Sequence, residues 1–203
     1  TNYPTSTSWL RWMNDSQKLI TAAHEQGSIG LAEIDVASGK RTSLWRGEAM
    51  FVNSSWPKFS LDNTGKIAVV REDVDNPPDI WIASHLSNGV KWNQLTHLHP
   101  QTDNLTVGST ESIYWKGADK WDIQGLLIRP PDTNLTGSVP MVTVVHGGPT
   151  AVHAYQYYAS QGWLQLLANS GIAVFLPNPR GSTGWGLEFA ESNIGDMGGK
   201  DWE

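Results

Sequence analysis

Cysteine is absent from the 203 residues, which excludes disulfides, thiolate catalysis and zinc held by cysteine, though it fixes no compartment. Basic excess is also missing. Fourteen Lys and Arg stand against twenty Asp and Glu, a net charge of −6, so nucleic acid is not expected as a partner. No apolar run approaches the roughly 20 residues that a membrane-crossing helix needs, and no membrane segment is expected. The chain opens on Thr1-Asn-Tyr, without an initiator Met or a signal peptide, and the compartment stays open with a lean towards the cytoplasm. No H-E-x-x-H or comparable spacing of ligands occurs among the six histidines, and no phosphate-binding or dinucleotide glycine pattern is complete. Neither a metal nor a cofactor is therefore expected.

What is abundant is glycine (20), proline (11) and tryptophan (11), a composition that favours turns and β structure over helical bundles. The tryptophans suit sheet faces and an interdomain seam better than a ligand cage. Four Asn-x-Ser/Thr tripeptides, at Asn14, Asn53, Asn104 and Asn134, read as turn composition. Over the first hundred residues a faint repeat emerges. Asn14-Asp-Ser-Gln-Lys18 and Asp62-Asn-Thr-Gly-Lys66 are each a polar turn and a lysine before an apolar strand, 48 residues apart from Lys18 to Lys66. Leu31 to Gly39 echoes Ile80 to Gly89, and each unit then runs to another short strand, Thr42–Trp45 or Trp92–Thr96. A period near fifty with several short strands predicts propeller blades of about four strands, the alternative being an ordinary antiparallel sandwich. Two blades cannot close a ring.

After Pro100 the texture changes. Glu111–Lys116 and Gln124–Arg129 predict a hairpin around a turn-rich connection. Val139 to Val145 is a near-continuous apolar run, expected to be a strand buried on both faces of a parallel sheet. A helix is predicted over Tyr155–Asn169, with Tyr158, Trp163, Leu166 and Leu167 on its apolar face and Gly171 as its left-handed C-terminal residue. Ile172–Leu176 is the next strand. The fold class is thus mixed: residues 1–106 as all-β blades, residues 107–203 as the N-terminal part of an α/β domain.

Chemistry concentrates at two loops. Val142-Thr-Val-Val-His146-Gly147-Gly148-Pro149 carries a strand into two glycines. These leave no side chain between the backbone N–H groups and a bound oxygen, while Pro149 limits the freedom of the loop. A strand before and a helix after supply the setting in which such a loop holds the oxyanion of an acyl-transfer intermediate. His146 stands too early to be the base of an α/β-hydrolase triad and is read as bracing the loop. The second loop is Asn178-Pro-Arg180-Gly181-Ser-Thr-Gly184-Trp-Gly186. No G-x-S-x-G nucleophile elbow occurs, and Ser182 is read as a turn residue. Arg180 either forms ion pairs within the fold or faces a substrate carboxylate or carbonyl.

The order of these features resembles the prolyl oligopeptidase family of serine peptidases, in its acylaminoacyl-peptidase and dipeptidyl-peptidase-like branch. The features are blades, a two-strand entry, Val-Val-His-Gly-Gly-Pro, a helix, Asn-Pro-Arg-Gly-Ser-Thr-Gly-Trp-Gly and Gly-Gly-Lys-Asp-Trp-Glu203. The resemblance implies a propeller capping an α/β-hydrolase domain, oligopeptide substrates and an acyl-enzyme formed on a serine. It also implies that Gly148 supplies one oxyanion N–H, with Gly147 beside it. On this resemblance the triad would lie beyond Glu203, so a fragment would be expected to be inactive and poorly stable alone. An esterase on the same fold and a non-catalytic propeller-based binding protein are the alternatives.

Overall fold

The computed structural model describes residues 5–51, 57–84, 86, 89–131, 137–157 and 162–202. These residues form three sheets. The first is a meander of β1 (Ser6–Trp12), β2 (Lys18–Glu25), β3 (Ser28–Asp35) and β4 (Arg41–Gly47), antiparallel in chain order. Its β2–β3 turn is only Gln26 and Gly27, both at positive φ (54° and 78°), the backbone pattern that matches the right-handed twist of a tight hairpin. In the second sheet, β5 (Met50–Phe51) and β6 (Ser60–Leu61) both line one side of β7 (Ile67–Glu72). Then β8 (Asp79–Ser84) and β9 (Lys91–Gln94) follow antiparallel.

The repeat in the sequence is a repeat in the chain path. Each polar turn is closed by an aspartate: Asp15 Oδ1 accepts the Gln17 amide at 2.9 Å, and Asp62 Oδ1 accepts the Thr64 and Lys66 amides at 2.8 and 2.9 Å. The two turns also touch, Asn14 Nδ2 donating to Asn63 O at 2.7 Å. Between the two sheets lies one apolar core around Ile20, Leu31, Phe51 and Ile67. Trp45 stacks on Phe51 at 5.8 Å, and Trp92 meets both rings edge-on at 5.4 Å. Three of these aromatic rings thus close the seam between neighbouring sheets.

The third sheet is β10 (Ser109–Lys116), β11 (Asp122–Arg129), β12 (Met141–Thr143) and β13 (Ala173–Asn178), in the order β10-β11-β13-β12. The hairpin β10–β11 stands as expected, and β12 runs parallel to β13 through a crossover that contains α1 (Trp163–Asn169). Leu164 and Ala168 of α1 pack on Leu126, Ile128, Val174 and Leu176, all fully buried. Gly171 (φ 80°) ends the helix: its amide donates to Ala168 O at 3.0 Å, and that of Ile172 to Leu167 O at 3.0 Å. A short second helix, α2 (Leu187–Glu191), follows the second loop.

Two expectations change. The run Val139–Val145 is not buried on both faces. Among the described residues β12 is an edge strand paired with β13, and Met141, Val142 and Val145 are 56%, 36% and 53% exposed. The helix begins at Trp163, not Tyr155, and its buried face carries Leu164 and Ala168 while Trp163 and Leu166 look outward. Tyr155, Gln156 and Tyr157 are non-helical because their backbone and side chains are engaged elsewhere; Tyr158 lies outside the described residues. Tyr155 N donates to Gly27 O at 3.1 Å, and Gln26 N donates to Gly184 O at 3.0 Å, so the β2–β3 tip touches both sides of the third sheet's loops.

Candidate active site

Beyond β12 the Val144 amide still pairs with Phe175 O at 2.8 Å, and there the ladder ends. His146, Gly147, Gly148 and Pro149 then turn away from the sheet, with a cis peptide between Gly148 and Pro149. Gly148 has φ 143°, and a Cβ on it would sit 2.8 Å from the Thr150 amide nitrogen, so only glycine fits without strain. Around Gly147 there is open space. Among the described residues, neither glycine amide donates to a main-chain or side-chain acceptor. Both residues are exposed at the wall of a cavity of about 570 Å³, shared with Trp115, Ile123, Pro179 and Trp202.

The second loop packs beneath the first. Asn178, at the end of β13, is fully buried and satisfied on every side: its Oδ1 accepts the His153 amide at 2.7 Å, and its Nδ2 donates to Gln124 Oε1 at 2.7 Å and His153 O at 2.9 Å. Gln124 Nε2 in turn donates to Ser112 Oγ at 2.9 Å, which lies 2.7 Å from the Tyr155 hydroxyl. A fully satisfied buried network of this kind holds its members in one arrangement. His153 Nε2 lies 3.0 Å from Val144 O, and the His153 ring meets His146 edge-on at 5.1 Å. His146 Nε2 reaches Ser182 Oγ at 3.0 Å.

Burial sets the protonation of these rings. Desolvation, together with the neighbouring His146, holds His153 down at about 4, and desolvation also lowers His146. Both are neutral imidazoles at neutral pH.

Arg180 is buried, 7% exposed, at the cavity wall. Its two terminal nitrogens are occupied by carboxylates, Asp119 at 2.7 Å and Asp196 at 2.8 Å, and Arg180 holds Asp196 below the usual carboxylate range. Ion pairing within the fold is therefore what its guanidinium does here, and among the described residues its buried Nε has no partner. Gly181 (φ 92°) has no room for a side chain against Asn193. Sequence reasoning read Ser182 as a turn residue and gave no site role to His153, Asn178, Gln124 or Tyr155. Only Asn178, a lone amide between an apolar strand and a proline, carried a local signal.

No metal-holding group of three or more His, Cys, Asp or Glu occurs among the described residues. Nor is any helix among them long and apolar enough to cross a membrane.

No protein-family model matches the chain. Among curated proteins it is 32% identical over 195 residues to an uncharacterized peptidase of Bacillus subtilis, covering 95% of this chain and 28% of that protein. It is 27% identical over 202 residues to the acylamino-acid-releasing enzyme of Sus scrofa, covering 94% and 26%. These likenesses support a peptidase of the prolyl oligopeptidase family. An acylaminoacyl peptidase solved in complex with Z-Gly-Gly-Phe-chloromethyl ketone shares its fold, with a TM-score of 0.77 at 21% identity, over 98% of this chain and 29% of that one. The chain spans little more than a quarter of the length of these proteins.

Proposed function

We propose that this chain supplies the oxyanion loop of a serine-type peptidase that hydrolyses short peptides through an acyl-enzyme. Residues 1–106 are read as the last blades of its propeller and residues 107–203 as the first part of its α/β-hydrolase domain. Two successive antiparallel meanders, then a sheet with a parallel β12–β13 pair, support that division. The observation that carries the function is the Gly148 amide: unpartnered among the described residues, at a strand's tip, at the wall of a cavity.

In this reading the substrate carbonyl enters that cavity with its oxygen towards the amides of Gly148 and Gly147. As a serine attacks, the carbonyl oxygen becomes an oxyanion, and N–H groups already aimed at it stabilise the charge without having to reorganise. Pro149 and His146 fix the loop, and Arg180, held by Asp119 and Asp196, builds the wall. No G-x-S-x-G elbow occurs in these 203 residues, and this reading assigns the chain the oxyanion loop and not the triad. The peptide substrate is inferred from the family and from the peptide chloromethyl ketone held by the structural neighbour.

The test is the full-length protein with chromogenic dipeptides, an acyl-amino-acid substrate and a simple ester as control. Gly148→Ala keeps the N–H but its Cβ would meet the Thr150 amide nitrogen and turn the donor aside, so kcat/KM should fall towards the about 100- to 1000-fold that one oxyanion donor is worth, while Gly147→Ala, with open space around it, should lose far less. Equal and small losses from both would sink the assignment, and hydrolysis of the ester alone would shift it to an esterase.

A further inference from the structure

The diglycine arch from Gly147 to Pro149 is anchored on both sides by two consecutive residues of the second loop. On the upstream side His146 Nε2 meets Ser182 Oγ at 3.0 Å. On the downstream side Thr183 Oγ1 donates to Thr150 O at 2.8 Å, and Thr183 N donates to Ala151 O at 2.9 Å. Ser182 and Thr183 are themselves buried, 0% and 6% exposed. We propose that Ser182 and Thr183 form a clamp that positions the oxyanion loop, Ser182 gripping it through the Nε2–H of His146 and Thr183 through the main chain beyond Pro149. The inference rests on the oxyanion reading above and assigns to Ser182, which fits a plain turn residue, a role in aiming the amides.

The direction of the His146 hydrogen bond follows from proton counting. A hydroxyl has one proton to donate. That of Ser182 points to Pro179 O, at 2.6 Å the shorter of its two contacts and one that only a donor can make with a carbonyl. Ser182 Oγ must therefore accept from His146, which fixes the proton on Nε2. The Nδ1–H tautomer would direct its proton to Gly147 O at 3.3 Å, a longer contact, and would leave two acceptors facing each other at Ser182. The neighbouring His153 ring, edge-on at 5.1 Å, fills the space into which the imidazole could otherwise turn. Within the arch the amides of Gly147 and Gly148 are unpartnered among the described residues, and Pro149 O accepts the nearby Ala151 amide at 2.8 Å. Its direction is set from its two feet.

The experiment has two arms, both on the full-length protein. The first is ¹⁵N NMR of the His146 ring, identified by its loss in His146→Gln. A pyrrole-type nitrogen at Nε2 and a pyridine-type one at Nδ1 are expected, and a proton on Nδ1 would overturn the clamp. The second is kinetic. Ser182→Ala and Thr183→Val should each lower kcat roughly tenfold with KM within about twofold, the signature of misaimed transition-state donors. His146→Gln, which keeps an N–H at the position of Nε2, should retain more kcat than His146→Asn, which does not. Unchanged kcat in Ser182→Ala, or equal loss in the two His146 variants, would refute the proposal. A protein that shows the expected ring tautomer but hydrolyses no peptide or ester would defeat the functional reading and leave the clamp geometry standing.

Discussion

At the residue scale, Arg180 shows how one side chain can be confined by its neighbours. A guanidinium presents donors in a fixed fork, and here the two terminal nitrogens meet two different carboxylates, Asp119 and Asp196, with 7% of the side chain exposed. Removing the cation leaves Asp119, itself only 16% exposed, without this partner. Arg180→Met is expected to destabilise the protein by about 3 kcal/mol, since breaking a buried pair strands its partner. Urea unfolding checks this; a change in KM without loss of stability would instead give the arginine a substrate-facing role. The sequence offered both readings and no means of choosing, because Asp119 and Asp196 lie 61 and 16 residues away from Arg180. Ser182 was equally opaque. Serine after Arg-Gly reads as a turn whether or not its hydroxyl faces a histidine 36 residues away.

At the element scale, the elements legible in the sequence are those whose signals are local. The β10–β11 hairpin announces itself by two apolar segments around a polar turn, and the end of α1 by Gly171, whose positive φ closes two carbonyls. The start of α1 was not legible. Tyr155 to Tyr157 continue the helical apolar spacing, yet Tyr155 N is taken by Gly27 and Tyr157 N by Glu72, contacts 128 and 85 residues away in the chain. The burial of β12 failed for a related reason: an apolar strand reads the same whether or not other elements are packed on its faces. This difference is measurable in the chain. Leu176→Ala, at a fully buried residue of β13, should cost about 2–5 kcal/mol, and Val142→Ala, at the exposed edge, under about 1 kcal/mol. Similar costs for both would mean that β12 is covered.

At the scale of the whole molecule, the second and third sheets meet at a buried carboxylate. Glu72, at the end of β7, accepts from Gln156 Nε2 at 3.2 Å and Tyr157 N at 3.1 Å, and is 4% exposed. Burial pushes it up to about 7, with Asp73 adding to the shift and the two hydrogen bonds opposing it. Arg71 alongside is turned to Asp73 at 2.9 Å. Because the folded value exceeds the unfolded one, this group's contribution to stability is complete below about 4.5 and is lost as pH rises through about 7. His24 and His153, held at about 4 by burial, act in the opposite sense, since their neutral folded forms lose stability as pH falls from about 6.5 towards 4. The difference between wild type and Glu72→Gln isolates the carboxyl. The variant should gain up to about 3 kcal/mol on the wild type between pH 4.5 and 8, read from urea midpoints across that range. A flat difference would place a compensating cation at the seam.

The two-residue tip of the β2–β3 hairpin is a tongue held between two lips. Its Gln26 amide is given to Gly184 and its Gly27 carbonyl is taken by Tyr155, while Gly27 has no side chain to press on Gln124. Gly184 closes the segment that grips the diglycine arch, and Tyr155 opens the one that leaves it. The first sheet therefore cannot tilt outward without releasing both lips together, so the pose of a distant β-meander is written into the footing of the loop that would meet the substrate.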